Sequence, residues 1–560
     1  MFFFKIVQLI NSSYKIYILS LTGILMITIS SIDPFSVATA APIYGGTIVT
    51  VPGVGNAPPA AINDFNPLLS TSFYDSQAAQ FMYQPLLWIN RELHVDYKLS
   101  IAKKIIVGPE HRTFTICFHK FWRWSDGTPV NASDLIYTFE LIKKLGPRFP
   151  GYDVGGIPNY IKSIDKVNNY EVRIVTTRSV NPTWFEMDGL AMLTPLPEQA
   201  WGGDSISYLY DHMTNNKFFN VVDGPFIISQ YKSGRYVSFI PNKNFTGHDK
   251  PYISHLVLKF LHSSISTYFA MKSGAIQIGD LPASLYKAHN NLPGYRLITV
   301  GPSWSFNFLG FNYANKDISF VRNRNIRWAI ASAINQKMFI KILGHGYGAR
   351  AYGVVPSKPE RFLSPKAHIV LSKGIYNLQR ADVLLRSAGW IMHRDHFRYK
   401  NGRKLQFTIY VPASSMRAPI LLSAMLRKIG VDVHLRERPF NEIMADFINP
   451  LNHHWQAIYM SWGSGYFPTD SMLFKCGGKL NGFHYCDKRF DYLASKLSNS
   501  KNINDFYKYQ DYFTTQQPVI ILPNTKVFVM TAKNIHGLAR AFSPLGTFNP
   551  QFLWIGKKIK

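Results

Sequence analysis

The chain has 560 residues, of which 46% are hydrophobic and 17% charged, a composition typical of globular rather than disordered proteins. This length exceeds what one hydrophobic core supports and predicts two or three domains. The formal net charge of +28 would suit an acidic partner, but the lysines and arginines are spread along the whole chain without a nucleic-acid-binding motif. We therefore expect a basic, solvated surface and no nucleic-acid partner, with selection of an acidic ligand as the alternative.

The first 40 residues have the pattern of a secretory signal peptide. Lys5 and Lys15 lie beside an uncharged, mostly apolar run at 16–32, and Ala38-Thr39-Ala40 offers an A-x-A cleavage site. We expect cleavage at this site, with an uncleaved anchor helix as the alternative. No cysteine precedes Cys117, so the sequence predicts no lipoprotein attachment site. No later run approaches the ~18 apolar residues that would span a membrane.

A strand and a loop are predicted next. Residues 41–51 suit a strand, because Gly45-Gly46 allows the chain to turn into an apolar run. Ser72, Phe73 and Tyr74 fall in a following segment that we interpret as a loop.

Residues 114–140 predict a strand, a turn and a helix. The strand alternates in polarity, Asp126-Gly127 suits a turn, and Asn131 followed by Asp134 suits the start of a helix. Cys117 lies within the strand and is expected to be a buried free thiol.

A second strand-to-helix unit begins near Trp304. Phe306, Phe308, Leu309 and Phe311 form a short aromatic run that suits a central strand. Apolar residues then recur at three- and four-residue steps from Ile326 to Met338, which predicts one amphipathic helix with Asn323 or Asn325 as its cap.

The remaining chain continues to alternate strands and helices, which favours an α/β fold. Cys476 and Cys486 bracket a short polar loop, and an oxidising compartment would let them pair. The sequence contains no H-E-x-x-H, P-loop or G-x-S-x-G motif, so no enzyme activity, metal or cofactor is expected.

Several segments resemble one family. Trp124-Ser125-Asp126-Gly127-Thr128-Pro129 resembles its W-S-D-G-T-P signature. A later segment of the family is resembled by Leu309-Gly310-Phe311-Asn312, Arg327 and Ala333-Ile334-Asn335. Further similar motifs follow in the family's order from about residue 43 to the C-terminus. On these motifs the chain is identified as a member of the extracellular solute-binding proteins of family 5, the peptide-binding components of bacterial ABC importers. In such a scaffold, Trp124 and Asp126 are expected to be structural.

The resemblance implies a two-lobed, type II periplasmic-binding-protein fold (cluster C) of the α/β class with an additional third domain. The bounds expected from it are a signal peptide at 1–40, lobe I at 41–85, 219–310 and 531–560, an extra domain at 86–218, and lobe III at 311–530.

The resemblance also implies a ligand loop, Trp462-Gly463-Ser464-Gly465 through Asp470. The family carries an acidic residue three positions after the tryptophan, where it pairs with the amino terminus of the peptide; this chain has Gly465 there. Either Asp470 replaces that acid, or the ligand has no free amino terminus at that place. By matched position, Ser72, Phe73, Tyr74, Trp304, Ser305 and Asn307 are further candidates, with core packing as the alternative for the aromatic residues.

The expected function is that of a periplasmic, monomeric substrate-binding protein that captures peptides between two lobes and delivers them to the permease subunits of an ABC transporter with cytoplasmic ATPases. One alternative keeps the fold but changes the ligand to haem or another non-peptide or anionic solute. Another is a holdase or surface-interaction protein that retains the scaffold without a transport role.

Overall fold

A computed structural model describes most of the chain after the predicted signal peptide. The described residues are 42–51, 65–69, 73–203, 205, 208, 217–261, 263–281, 283–300, 304–412, 415–478, 480–543 and 546–556. The predicted signal peptide at 1–40 lies outside them. Within the described part of the chain, no helix has the length and apolar character needed to cross a membrane.

The largest sheet has seven strands drawn from three separate stretches of the chain. In spatial order they are Tyr295–Val300, Val527–Ala532, Ile278–Leu281, Thr47–Thr50, His255–Lys259, Tyr236–Pro241 and Phe226–Lys232. The predicted first strand is confirmed at Thr47–Thr50, which runs parallel to both of its neighbours. Gly45 and Gly46 precede it with φ of 111° and 84°, a left-handed backbone that favours glycine.

A second sheet has four antiparallel strands, in the order Ala102–Val107, Thr113–Phe118, Glu171–Thr176 and Ile161–Asn168. The helix Ala132–Leu145 packs against it. The predicted cap is confirmed, because the Asn131 side chain accepts from Ser133 N and the Asp134 side chain accepts from Asn131 N. Buried Trp124 donates to Asp134 Oδ2 (3.2 Å), as suits a structural residue.

The prediction of a buried thiol at Cys117 is wrong in one respect. Cys117 is free but only partly buried. The strand Thr113–Phe118 alternates, with Phe114, Ile116 and Phe118 on the buried face and Cys117 on the other.

The third large sheet has five strands and contains the aromatic run. In spatial order its strands are Asp432–Glu437, Gln406–Val411, Ala457–Gly463, Ser305–Phe311 and Ile520–Leu522. The predicted strand is confirmed at Ser305–Phe311, which has a neighbour on each side, both antiparallel. Phe306, Phe308, Leu309 and Phe311 are buried in it.

The single helix predicted through Met338 is two helices, Arg324–Ala333 and Gln336–Leu343. Ile334 is extended between them. Asn335 then caps the second helix, its side chain accepting from Met338 N (3.0 Å). Asparagine competes with helical backbone by such local hydrogen bonds, and so it restarts a helix here that apolar periodicity alone would continue.

Smaller elements complete the described chain. The further helices are Phe73–Met82, Pro182–Trp184, Glu198–Trp201, Lys217–Asn220, Ser264–Lys272, Pro365–Lys373, Leu378–Ser387, Arg417–Arg427, Phe440–Ile448, Lys488–Leu497, Ile503–Gln516 and Leu538–Ala541. The short sheets pair Gly348–Ala349 with Asn524–Thr525, Ile535–His536 with Trp554–Ile555, and Ile391–Met392 with Arg398–Lys400 and Arg403–Lys404.

The expected domain bounds stay a prediction, because sheet membership alone does not fix a domain boundary. Membership passes from the seven-stranded to the five-stranded sheet before Ser305 and returns at Val527, close to the expected 311 and 531. The four-stranded sheet lies wholly within 86–218, the range expected for the extra domain.

Candidate functional site

The loop that follows the strand Ala457–Gly463 contains the predicted ligand residues, and Trp304 holds its start. The Trp304 indole Nε1 donates to Gly465 O (2.7 Å), and Ser464 N donates to Trp304 O (3.0 Å). Trp304 is buried, whereas Trp462 and Ser464 are partly buried and Gly463 and Gly465 are exposed. The structure therefore brings Trp304 together with the loop 462–470.

The other matched positions are less closely tied to this loop. Asn307 Nδ2 donates to Pro523 O (3.2 Å) and Asn524 Oδ1 (3.0 Å), so a structural role accounts for its amide. Ser72 lies outside the described residues. Phe73 and Tyr74 begin the helix Phe73–Met82 rather than lying in a loop, and their side chains are outside what the structure describes.

The space beside Gly465 is filled by an acid from elsewhere in the chain. A Cβ atom added to Gly465 would lie 2.8 Å from Asp188 Oδ1, which is closer than real Cβ contacts. Asp188 Oδ1 also accepts a hydrogen bond from Phe467 N (2.8 Å). The Asp188 carboxyl is thus built into the loop at the position where residue 465 would project its own side chain.

Asp470 ends the loop in a left-handed conformation, with φ of 44°. Its Oδ2 atom is buried and has no hydrogen-bond partner among the described residues. Burial raises the pKa of Asp470 to about 7, against smaller lowering effects of the nearby Ser464 hydroxyl, Gly465 N–H and Trp462 indole.

Two further acids next to this loop have raised pKa values. Burial raises the pKa of Asp188 well above its ordinary range, and the charge of Asp470 raises it further. Burial alone raises the pKa of Glu186 to about 7. In the described part of the chain, no lysine or arginine stabilises the ionised form of any of these three carboxyls. Such a group suits either shared protons or a cationic partner.

Hydrogen bonds join the segment that precedes Asp188 to residues 497–500, and further hydrogen bonds join Arg361 to residues 93–94. Asn181 Nδ2 donates to Leu497 O (3.2 Å) and Ser500 O (2.7 Å), and Asn181 N donates to Ser498 O (2.6 Å). Arg361 donates to Leu93 O and contacts His94 Nε2. A cavity of about 780 Å³ remains between these attachments, with Glu186 and Phe467 among its lining residues.

The sequence did not predict that Asn181, Glu186 and Asp188 lie at this site. A signal for the two acids was present, since they interrupt an otherwise apolar run, Trp184–Leu193. Charged residues inside such a run are unusual unless they are paired or functional. Their meeting with the loop 462–470 is a tertiary contact that spans some 280 residues.

Cys476 and Cys486 are bonded to each other, with their Cα atoms 4.5 Å apart. Cys476 N also donates to Asp491 Oδ1 (3.1 Å), at the start of the helix Lys488–Leu497. Among the described residues, no group of three or more His, Cys, Asp or Glu side chains could hold a metal ion.

The arrangement of the sheets is that of the two-lobed periplasmic-binding-protein fold, and comparison with solved structures confirms this fold. The oligopeptide-binding protein AppA of Bacillus subtilis, in complex with a nonapeptide, has a TM-score of 0.73 at 21% identity and covers 92% of this chain and 100% of its own. NikA of Brucella suis, in complex with Fe(III)-EDTA, has a TM-score of 0.77 at 17% identity, with coverage of 91% and 100%.

Sequence comparison then gives the family. The model of the bacterial extracellular solute-binding proteins, family 5 middle, matches residues 97–483. The oligopeptide-binding protein AppA of Bacillus subtilis is 24% identical over 450 residues, which is 80% of this chain and 80% of the relative. This chain belongs to the bacterial extracellular solute-binding proteins of family 5.

Proposed function

We propose that this protein is the substrate-binding component of a peptide-type ABC importer. The observation that carries the proposal is its membership of family 5 across residues 97–483, supported by its similarity to an oligopeptide-binding protein along 80% of its length. In this role the signal peptide at 1–40 directs its export to the periplasm, where it acts as a monomer and catalyses no reaction. It delivers its ligand to permease subunits of the inner membrane, which are driven by cytoplasmic ATPases.

The loop from Trp462 to Asp470 is the proposed centre of the ligand site, and Ser72, Phe73 and Tyr74 remain further candidates for contact with the ligand. Extended peptides can be held chiefly through main-chain hydrogen bonds, so one site accepts many side chains. Closure of the lobes then removes the ligand from water and presents a closed form to the permease.

Asp470 is the proposed partner of the ligand's amino group. Its buried, unpartnered Oδ2 and its raised pKa support this role, because a bound ammonium would supply the missing counter-charge. Gly465 cannot do so, and its surroundings are already occupied by Asp188.

A non-peptide anionic solute, such as haem or a metal chelate, is the second candidate. The glycine at position 465 and the net charge of +28 favour it, as does the similarity in fold to NikA, whose structure is a complex with Fe(III)-EDTA.

The first experiment identifies what copurifies with the protein expressed in a periplasm. The protein is denatured, and the released material is analysed by mass spectrometry and an absorbance scan. Short peptides of mixed sequence are expected. A Soret band, or a single non-peptide anion, would instead assign the second candidate, and material that never binds saturably would favour a scaffold without a transport role.

The second experiment measures peptide affinity by calorimetry in wild type and Asp470→Asn. Removing one partner of a buried charge pair costs roughly 2–5 kcal/mol, so we expect affinity for peptides with a free amino terminus to fall more than tenfold. N-acetylated peptides of the same sequence are the matched control and should be affected much less. Equal losses for both peptide forms would exclude Asp470 as the amine partner.

A further inference from the structure

The cavity beside the loop 462–470 has the size and the walls of a small-molecule site. Its volume is about 780 Å³, within the range of roughly 300–1,000 Å³ that is usual for such sites. Apolar and aromatic side chains form most of its surface, among them Tyr97, Met187, Phe362, Phe467 and Phe506. It can therefore take in an apolar group and remove much of its surface from water.

Two polar side chains at the cavity, Arg361 and Asn181, already form hydrogen bonds within the protein. The Arg361 guanidinium donates to Leu93 O, contacts His94 Nε2, and lies with its central carbon 4.7 Å from the centre of the Phe362 ring. The Asn181 amide donates to Leu497 O and Ser500 O. Both side chains join the walls of the cavity to each other through these hydrogen bonds.

Glu186 is different, because its carboxylate has no hydrogen bond or ion pair within the described part of the chain. Glu186 lines the cavity, as do the titratable groups His94, Tyr97, Arg361 and Lys501. Burial and, to a lesser extent, the nearby charge of Glu186 raise the pKa of Tyr97 to about 12, so the phenol stays neutral. Lys501 is exposed to solvent. Glu186 is only partly buried, but a carboxylate that is partly removed from water and has no counter-ion is still destabilised, and a cationic occupant would relieve this.

An anionic occupant fits these walls poorly. It would meet the Glu186 carboxylate inside the cavity, while the Arg361 guanidinium is committed elsewhere and the Lys501 ammonium is hydrated. The net charge of +28 is summed over the whole chain, so the side chains that line the cavity bear more directly on its occupant than this total does.

We propose that this cavity receives a lysine or arginine side chain of the bound peptide, with its aliphatic part against the aromatic walls and its cationic end at Glu186. This inference rests on the proposed function and adds a side-chain preference to it. Phe467 connects the two, since it lines the cavity and belongs to the loop 462–470. Lysine and arginine match the cavity because each joins an apolar stem to a charged end.

The test offers the purified protein a randomised peptide pool and identifies the retained peptides by mass spectrometry. Wild type is expected to enrich lysine or arginine at one position, and Glu186→Gln to lose at least fivefold of that enrichment while still retaining neutral peptides. Glu198→Gln is the matched control, because Glu198 is an exposed acid nearby in the chain. Synthetic pairs that differ only by lysine or norleucine should show the lysine advantage growing from pH 6 to pH 8, as Glu186 ionises.

A second variant tests the proposal independently, in case Glu186→Gln does not fold. Ile503 lines the cavity and is 43% exposed, so Ile503→Trp fills the entrance without disturbing a packed core, and it should reduce the same enrichment. Retained peptides without a preference for lysine or arginine, or an unchanged preference in both variants, would overturn this inference alone. If wild type retains no peptide at all, the proposed function itself fails.

Discussion

At the scale of single residues, the site depends on a glycine that leaves room for an acid. The Asp188 carboxylate lies where a side chain at Gly465 would begin, and Phe467 N holds it there. Neither Gly465 nor Gly463 has a positive φ, so glycine is needed at 465 for space and not for backbone conformation. This chain thus has no acid at position 465, and a carboxyl from a distant segment occupies the space beside it.

We expect Gly465→Ala to lower the free energy of unfolding by about 1–3 kcal/mol, because the new methyl group overpacks against the Asp188 carboxylate. Urea denaturation measures the change. Gly463→Ala is the matched control, since a Cβ there meets no atom within 4 Å, and its effect should stay within about 0.5 kcal/mol. Adding Asp188→Ala should make Gly465→Ala nearly neutral; an undiminished penalty in that background would contradict the steric explanation.

At the scale of secondary structure, short polar side chains decide where helices begin. Asn131, Asn323 and Asn335 each accept a backbone N–H at a helix N-terminus. Asn335 has the largest structural consequence, because it starts a new helix directly after the extended Ile334. The chain direction therefore changes inside a run that apolar spacing alone would make one helix.

Asn335→Ala should lower the free energy of unfolding by about 1 kcal/mol, since the N–H of Met338 loses its acceptor at the start of the helix Gln336–Leu343. Chemical denaturation provides the measurement. Asn335→Asp keeps a capping oxygen and should retain most of the stability. If the alanine and aspartate variants were equally stable, capping by residue 335 would not be what stabilises this helix start.

At the scale of the whole molecule, buried acids in several places all make the stability of the fold depend on pH in the same direction. Burial raises the pKa of Glu186, Asp280 and Asp470 to about 7 and that of Asp134 to about 6. In the unfolded chain such groups titrate near 4. Between these values the folded protein binds more protons than the unfolded chain, so its stability falls as pH rises from about 4 through 7.

We expect the free energy of unfolding to be higher at pH 5 than at pH 8, and Asp470→Asn to reduce that difference. A shift of the pKa from near 4 to about 7 corresponds to at most about 4 kcal/mol for this one group. Urea titrations of the ligand-free protein at both pH values measure the effect, with Glu437→Gln as an exposed control. A difference between the two pH values that is unchanged in Asp470→Asn would show that Asp470 is already ionised in the folded protein at neutral pH.

Features that depend on local patterns could be predicted from the amino-acid sequence. Alternating polarity predicted the strand at Thr113–Phe118, and a short aromatic run predicted the strand at Ser305–Phe311. Short polar residues predicted a cap at Asn131 and another at Asn323 or Asn325, of which Asn323 is the cap. Ordered motifs predicted the family and its two-lobed fold. These features need only neighbouring residues, or a known order of segments, to be recognised.

The residues that lie against the loop 462–470 could not be predicted from the sequence and depend on the folded chain. The contact between Asp188 and Gly465, the cavity that Glu186 lines and the indole of Trp304 all join residues far apart in the chain. No local pattern encodes such distances, because burial and the charge of distant neighbours set the chemistry of these side chains. The sequence thus located the loop, and the folded chain supplied the acids that surround it.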